Sequence, residues 1–119
     1  MRRLTLLAAL LVLFVAHAAW AGKEVNNDEG IYDRFYGNVV VKDAGGDKAE
    51  VAQGAKAKVE GETVWVYLPE AEKPFKTRAV IFYDWGYQLE ITVYDSETEK
   101  RYILLCPRKA GLRHPGSQH

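Results

Sequence analysis

The strongest constraint on the fold is a two-residue alternation of side chains in the second half of the chain. Residues 88–94, QLEITVY, alternate polar with aliphatic side chains, and residues 101–106, RYILLC, follow after the loop DSETEK. Successive side chains of a β-strand point to opposite faces of its sheet. The alternation therefore predicts two strands, each with one buried and one exposed face.

The loop between these strands predicts how they pair. Asp95 can accept a hydrogen bond from the backbone two residues further on, which favours a type I turn. A four-residue loop then pairs Asp95 with Lys100. The pairs on the apolar face become Val93–Tyr102, Ile91–Leu104 and Leu89–Cys106. This register predicts that Cys106 is a buried thiol, although an odd cysteine in an exported protein can also form an intermolecular disulfide or react as a free thiol.

The preceding segment predicts another strand and a tight turn. Residues 78–83, RAVIFY, are apolar on both faces, which is typical of a central strand covered on both sides. Gly86 can adopt a positive φ. Residues 84–86 are therefore predicted to form a hairpin with a glycine bulge, and a two-residue turn over 85–86 is the alternative. Trp85 lies in this turn and is predicted to be the best exposed ring of the region.

Two upstream segments predict a strand and a hairpin. Residues 62–69, ETVWVYLP, place aliphatic side chains on one face and Trp65 and Tyr67 on the other, and Pro69 ends the strand because it lacks a backbone donor. In the polar loop that follows, Phe75 is predicted to fold back onto the core. Residues 36–51, YGNVVVKDAGGDKAEV, predict a strand, a turn at Gly45 and Gly46, and a return strand.

The segment between them is ambiguous. Residues 55–62, AKAKVEGE, read as an edge strand whose lysines discourage association, although the Ala, Lys and Glu of residues 48–60 also favour helix. Residues 31–37 fit either a strand or a short helical turn. The whole pattern predicts an all-β domain over residues 22–106, a small antiparallel sandwich or barrel of six to seven short strands.

The first 21 residues predict a signal peptide. Arg2 and Arg3 precede an apolar run that ends near Ala16, and Ala19 and Ala21 are the small residues expected before a cleavage site at Gly22. The run is shorter than the roughly 20 apolar residues that span a bilayer, so a membrane anchor is the less favoured reading. The protein is therefore expected to be periplasmic or secreted, with no stable membrane anchor after cleavage.

The charge distribution divides the remainder into an acidic body and a basic tail. Of the 16 basic residues, Arg2 and Arg3 belong to the predicted signal and three to residues 107–119, which leaves 11 against 16 acidic residues in the body, a net charge of −5. Such a body argues against a nucleic-acid partner, which needs clustered positive charge. The tail, with two glycines and no acid, is predicted to be flexible.

Motifs for catalysis and for cofactor or metal binding are absent from the sequence. There is no nucleophile elbow and no phosphate-binding glycine loop, and the histidines of the exported chain lie in the tail. No catalytic residue, cofactor or metal site is therefore predicted. A thiol-dependent enzyme or redox protein that uses Cys106 is the alternative function.

The aromatic residues are the candidate binding site. They lie on adjacent predicted strands or in the turn between them: Trp65, Tyr67, Tyr83, Trp85 and Tyr87. Such rings offer large contact areas at a low cost in conformational entropy, and they stack on sugars or anchor protein partners. Half-buried packing within a sheet explains the same residues. The sequence predicts a non-enzymatic binding domain for an unknown protein or cell-envelope glycan.

Overall fold

The computed structural model describes residues 22–108, which form an all-β protein. The predicted signal peptide lies outside the described residues, as does the predicted tail beyond residue 108. The seven strands are β1 (Lys23–Val25), β2 (Arg34–Asp43), β3 (Glu50–Glu60), β4 (Thr63–Tyr67), β5 (Phe75–Asp84), β6 (Gln88–Asp95) and β7 (Lys100–Pro107). The predicted fold class and strand number are confirmed.

Strands β2 to β7 close into a six-stranded antiparallel barrel. Each of these strands pairs with its neighbour in the chain, and β7 pairs back with β2. The seventh strand, β1, lies outside this ring and pairs with the end of β5, where Val25 is opposite Phe82. The architecture is therefore a barrel rather than a sandwich, which leaves the six strands of the ring without a long unpaired edge.

The barrel interior is a single apolar core. Its largest fully buried side chains come from all six strands of the ring except β5: Leu89, Ile91, Leu104, Val39, Val41, Val59, Val64, Val66, Val93 and Cys106. On β5, Phe82 and Ala79 complete this core. Phe75 and Leu68 are partly buried and pack against this core, as predicted.

The hairpin of β6 and β7 has the predicted register. Val93 pairs with Tyr102, Ile91 with Leu104 and Leu89 with Cys106. The Asp95 carboxylate accepts a hydrogen bond from the Glu97 amide at 3.0 Å, and the Asp95 carbonyl accepts one from the Glu99 amide. Cys106 is fully buried, so the prediction of a buried thiol is confirmed.

Strand β3 confirms the prediction of a strand within residues 48–60 and corrects its predicted place at a sheet edge. It is one continuous strand from Glu50 to Glu60, paired with β2 on one side and β4 on the other, so it is neither a helix nor an edge strand. Irregular pairing between β2 and β3 accompanies two residues with positive φ, Asn38 at 54° and Gly54 at 68°. Such bulges bend a strand pair and raise its twist, which allows a small sheet to close on itself.

Strand β5 also corrects a prediction. A bulge between Ala79 and Ile81 places Val80 and Ile81 side by side on the outer surface, where they are 38% and 39% exposed. The prediction of a strand covered on both faces is therefore wrong. A barrel wall has only one interior side, and the apolar second face of β5 belongs to the surface.

The turn between β5 and β6 has neither of the predicted pairings. Asp84 pairs with Leu89, and the Trp85 amide donates to the Gln88 carbonyl at 3.0 Å. Gly86 has a φ of 91°, and its amide donates to the Asp84 carboxylate at 2.7 Å. The turn is longer than the two- and three-residue turns predicted around Gly86, and this hydrogen bond stabilises it.

Candidate functional site

The five aromatic residues of the predicted site form two separate groups. Trp65 and Tyr67 lie on β4, and Trp65 pairs with Lys76 near the start of β5. Tyr83 lies seven residues further along β5, roughly 23 Å away at the usual rise of an extended strand. Tyr83, Trp85 and Tyr87 therefore belong to a different part of the surface from Trp65 and Tyr67.

The three aromatic residues at the β5–β6 turn and two aliphatic residues of β7 form what we call the aromatic turn surface: Tyr83, Trp85, Tyr87, Ile103 and Leu105. The Tyr83 and Trp85 rings are 4.8 Å apart and tilted by 46°. Trp85 Nε1 donates to the Glu90 carboxylate at 3.0 Å, and this contact holds the indole against the barrel. Trp85 is partly buried, and the prediction that it is the best exposed ring is wrong. Tyr87, which is 68% exposed, has that position.

A shallow groove lies beside these rings. Its volume is about 240 Å³, and Trp85, Tyr87, Ile103 and Leu105 form its apolar part. Two lysines, Lys42 and Lys48, and the polar residues Gln88 and Glu90 also line it. The groove thus joins aromatic and aliphatic side chains within one partly exposed depression of the barrel wall.

The Asp84 carboxylate holds the turn between β5 and β6 in place. Its carboxylate accepts hydrogen bonds from the Gly86 amide at 2.7 Å, from Tyr32 Oη at 2.8 Å and from Arg108 Nη1 at 2.7 Å. Partial burial opposes ionisation of Asp84, but these three hydrogen bonds outweigh it and lower the pKa of the carboxyl group. The Arg108 amide also donates to the Tyr87 carbonyl at 2.9 Å. The turn is therefore tied to the loop before β2 and to the end of β7.

The loop before β2 supports this cluster. Tyr32 stacks on Phe82 with ring centroids 6.1 Å apart, and the Arg108 guanidinium lies 5.5 Å above the Tyr32 ring. Burial, followed by the hydrogen bond to the Asp84 carboxylate, raises the pKa of Tyr32, so its hydroxyl remains a donor at neutral pH. Tyr36 Oη donates to the Tyr32 carbonyl at 2.9 Å, and burial raises the pKa of Tyr36 to about 12.

The same loop is itself held by Asn27. The buried Asn27 amide donates to Asp33 at 2.8 Å and to the Gly61 carbonyl at 2.9 Å, and it accepts from the Tyr32 amide. The Gly61 amide donates to Asp33, and this hydrogen bond lowers the pKa of Asp33. Residues 26–33 read as turn-forming in the sequence, but no local pattern connects them with Asp84 or Arg108, which lie more than 50 positions away.

The second aromatic group lies among basic residues. Tyr67 packs on Phe35 with ring centroids 5.3 Å apart, and Lys76 Nζ lies 5.9 Å from the centre of the Trp65 ring. On the neighbouring strand, Lys58 pairs with Trp65. The sequence identified these aromatic residues but not the cations around them, because the cations come from β3 and β5, the strands on either side of β4.

The described residues were compared with the requirements for a reactive thiol, a metal site and a membrane span. Burial raises the pKa of Cys106 to about 12, so the thiol stays protonated at neutral pH and is shielded from solvent. Within residues 22–108, no three His, Cys, Asp or Glu side chains are grouped closely enough to hold a metal ion. Over the same residues, no helix has both the length and the apolar character needed to cross a membrane.

Comparison with known proteins gives no further guide. Neither the family models, the curated proteins nor the solved structures include a significant match to this chain. Its function is therefore inferred from the site geometry.

Proposed function

We propose that the protein is an exported, non-enzymatic binding domain that contacts a protein of the cell envelope through the aromatic turn surface. The observation that carries this proposal is the exposed Tyr87 ring on a turn that Asp84 and Glu90 hold in place. A rigid, exposed aromatic residue loses little conformational freedom on binding and is a common anchor of protein interfaces.

The aliphatic neighbours favour a protein partner over a glycan. Ile103 and Leu105 line the groove beside Tyr87, and the outward-facing Ile81 is 39% exposed on the same wall. Aliphatic side chains gain stabilisation by contact with other apolar groups. A sugar chain offers ring faces for stacking on tyrosine but covers neighbouring aliphatic side chains mainly with hydroxyl groups, which lose water when they are buried there.

The alternative of a thiol-dependent enzyme is testable separately. Because Cys106 is buried and its pKa is about 12, iodoacetamide is expected to modify the native protein at neutral pH far more slowly than the protein in urea. Equal rates in the two conditions would support a reactive thiol in place of the binding domain.

The binding proposal is tested by capture from a cell-envelope fraction. The protein is immobilised through a Glu72→Cys substitution, since Glu72 is exposed in the loop before β5, at the far end of that strand from Tyr83, and Cys106 is buried. A polypeptide retained on this protein is expected to be lost with Tyr87→Ala. It should be kept with Phe35→Ala, a matched control that removes an exposed ring from the other group. The polypeptide is then identified and its binding measured with purified components.

Two outcomes overturn the proposal. Equal retention by Tyr87→Ala and the wild type places the contact elsewhere. Quenching of Trp85 fluorescence by soluble peptidoglycan fragments, absent in Tyr87→Ala and without any captured polypeptide, identifies a glycan-binding site.

A further inference from the structure

The outer sides of β3, β4 and β5 carry four cations around two aromatic rings. We call this surface the cationic face: Lys56, Lys58, Trp65, Tyr67, Lys76 and Arg78. Lys58, Trp65 and Lys76 form one row across the three strands, and Lys56 pairs with Tyr67 in the next row. Because neighbouring strands lie about 4.8 Å apart, the Cα atoms of Lys58 and Lys76 are about 10 Å apart, with Trp65 between them.

Most of these charges have no partner among the described residues. Lys58 forms an ion pair with Glu60 at 3.4 Å, in which both side chains are well exposed. For Lys56, Lys76 and Arg78, no carboxylate in residues 22–108 lies within the 4.0 Å of an ion pair. These cations contrast with the net charge of −5 for the body as a whole. The cations of β3 and β5 are far apart in the sequence, and the fold brings them together on one surface.

A groove adjoins this face along β5. It has a volume of about 560 Å³ and is lined by Lys76, Arg78, Thr63 and Tyr94, with Glu62 and Glu97 also in its wall. The Arg78 guanidinium lies 6.0 Å from the centre of the Tyr94 ring. The carboxylates of Glu62 and Glu97 repel a ligand whose negative charges are closely spaced. A ligand with widely spaced negative charges can contact the cations without approaching these carboxylates.

We propose that the cationic face binds an acidic polysaccharide, a chain of sugar rings with carboxylate or sulfate groups at intervals. The faces of the sugar rings contact Trp65 and Tyr67, and the acid groups contact Lys58, Lys76 and Arg78. The alternation of cation, ring and cation across the strands matches a ligand that alternates charge with apolar ring faces. This contact is independent of the aromatic turn surface, which lies at the other end of β5.

Binding is measured with polygalacturonate and with its methyl-esterified form, which has the same rings but lacks their charge. A Trp85→Phe background makes Trp65 the fluorescent reporter of residues 22–108. Polygalacturonate is expected to quench Trp65 saturably, to bind more weakly as salt screens the charges, and to bind at least about tenfold more tightly than the esterified polymer. Equal affinity for the two polymers, or no binding of polygalacturonate, overturns the proposal.

Matched variants locate the contact. By calorimetry, Lys76→Gln with Arg78→Gln is expected to weaken polygalacturonate binding about tenfold, and Trp65→Ala is expected to weaken it as well. Lys42→Gln with Lys48→Gln removes the same charge from the other surface and should preserve affinity. Equal losses in the two double variants indicate attraction by net charge and contradict a specific face.

A third probe distinguishes the class of polymer. A thymidine oligonucleotide offers rings and dense phosphate charge, and tighter binding of this probe than of polygalacturonate overturns the proposal in favour of a single-stranded nucleic acid. Failure of this proposal is distinguishable from failure of the proposed protein contact, because the capture experiment is made with Trp85, Lys42 and Lys48 unchanged and varies only Tyr87 and Phe35. Conversely, loss of the protein partner in Tyr87→Ala does not affect the expected binding of polygalacturonate.

Discussion

The aromatic turn surface and the cationic face use the same residue types for different chemistry. Each contains a tryptophan and at least one tyrosine on the outside of the same barrel. In the first, Trp85 is fixed by Glu90 and lies beside Ile103 and Leu105. In the second, Trp65 lies between the strands that carry Lys58 and Lys76. The neighbouring side chains, rather than the aromatic residues themselves, determine which partner each surface suits.

The difference also extends to how each surface is held. Three hydrogen bonds to Asp84 fix the aromatic turn, whereas Trp65 and Tyr67 lie in the middle of a paired strand and depend on backbone pairing. A perturbation of the polar cluster should therefore affect one surface, and a perturbation of the common core should affect both.

The largest effect is expected from the core that both surfaces share. Leu104 is fully buried opposite Ile91, so Leu104→Ala should lower the free energy of unfolding by about 2–5 kcal/mol. Urea unfolding followed by circular dichroism measures this loss. Both Trp65 and Trp85 should report the same shifted midpoint. A loss below about 1 kcal/mol would mean that the side chain does not fill the core.

Asp84→Ala should distinguish the two surfaces. It removes the acceptor for Tyr32, Gly86 and Arg108, and a loss of about 1–2 kcal/mol is expected because these partly buried donors lose their partner. In single-tryptophan variants, the emission of Trp85 should change while that of Trp65 stays constant. Equal changes at both tryptophans would show that the polar cluster supports the whole barrel.

Protonation of Asp84 at low pH should change the emission of Trp85 in the same way as Asp84→Ala, but by a smaller amount. The pKa of Asp84 is lowered in the folded protein, so its contribution is complete above the ordinary aspartate pKa of about 4 and is lost as pH falls through the lower folded value. The emission of Trp85 in a Trp65→Phe variant should therefore change below about pH 4. The change should disappear in Asp84→Asn and persist in Asp33→Asn, which removes the other carboxyl group with a lowered pKa.

Glu90→Ala should affect only the indole. Because its contact with Trp85 is partly exposed, the expected loss of stability is below about 1 kcal/mol. Loss of the acceptor should increase quenching of Trp85 by iodide, with no change at Trp65. Unchanged quenching would show that packing on Tyr83, rather than the hydrogen bond, positions the ring.

The smallest effect on stability is expected at the most exposed ring. Tyr87 is 68% exposed, and Tyr87→Ala should change the unfolding free energy by no more than about 0.5 kcal/mol. Thermal unfolding of this variant checks that its loss of partner binding is a local effect. A large loss of stability would remove Tyr87 as a test of the proposed function.

The hairpin from Gln88 to Pro107 was predictable because local information determines it. Strict alternation defines its faces, and Asp95 defines its loop, so the pairing of Leu89 with Cys106 followed from the sequence. Strand β5 was harder, since the bulge at Val80 interrupts the alternation and an apolar segment looks buried on both sides. Barrel closure depends on the pairing of β7 with β2, a contact between distant segments for which the alternation carries no information.

The candidate site was predictable only in its residue types. The sequence identified all five aromatic residues, but their division into two surfaces depends on how β4 pairs with the start of β5, and Trp85 is partly buried where it contacts Glu90 and Tyr83. The cluster of Tyr32, Asp84 and Arg108 has no sequence signal, because its members meet only after the barrel closes.

Gly22 and Arg108 each form a hydrogen bond with a tyrosine of the aromatic turn surface. The Gly22 carbonyl accepts a hydrogen bond from Tyr83 Oη at 2.8 Å, and the Arg108 amide donates to the Tyr87 carbonyl. A bulky group attached at Gly22 or at Arg108 would therefore lie beside the aromatic turn surface. A linker attached at the exposed Glu72, in the loop before β5, would lie at the far end of that strand, so the choice of attachment point decides whether a reporter fusion can detect recognition at all.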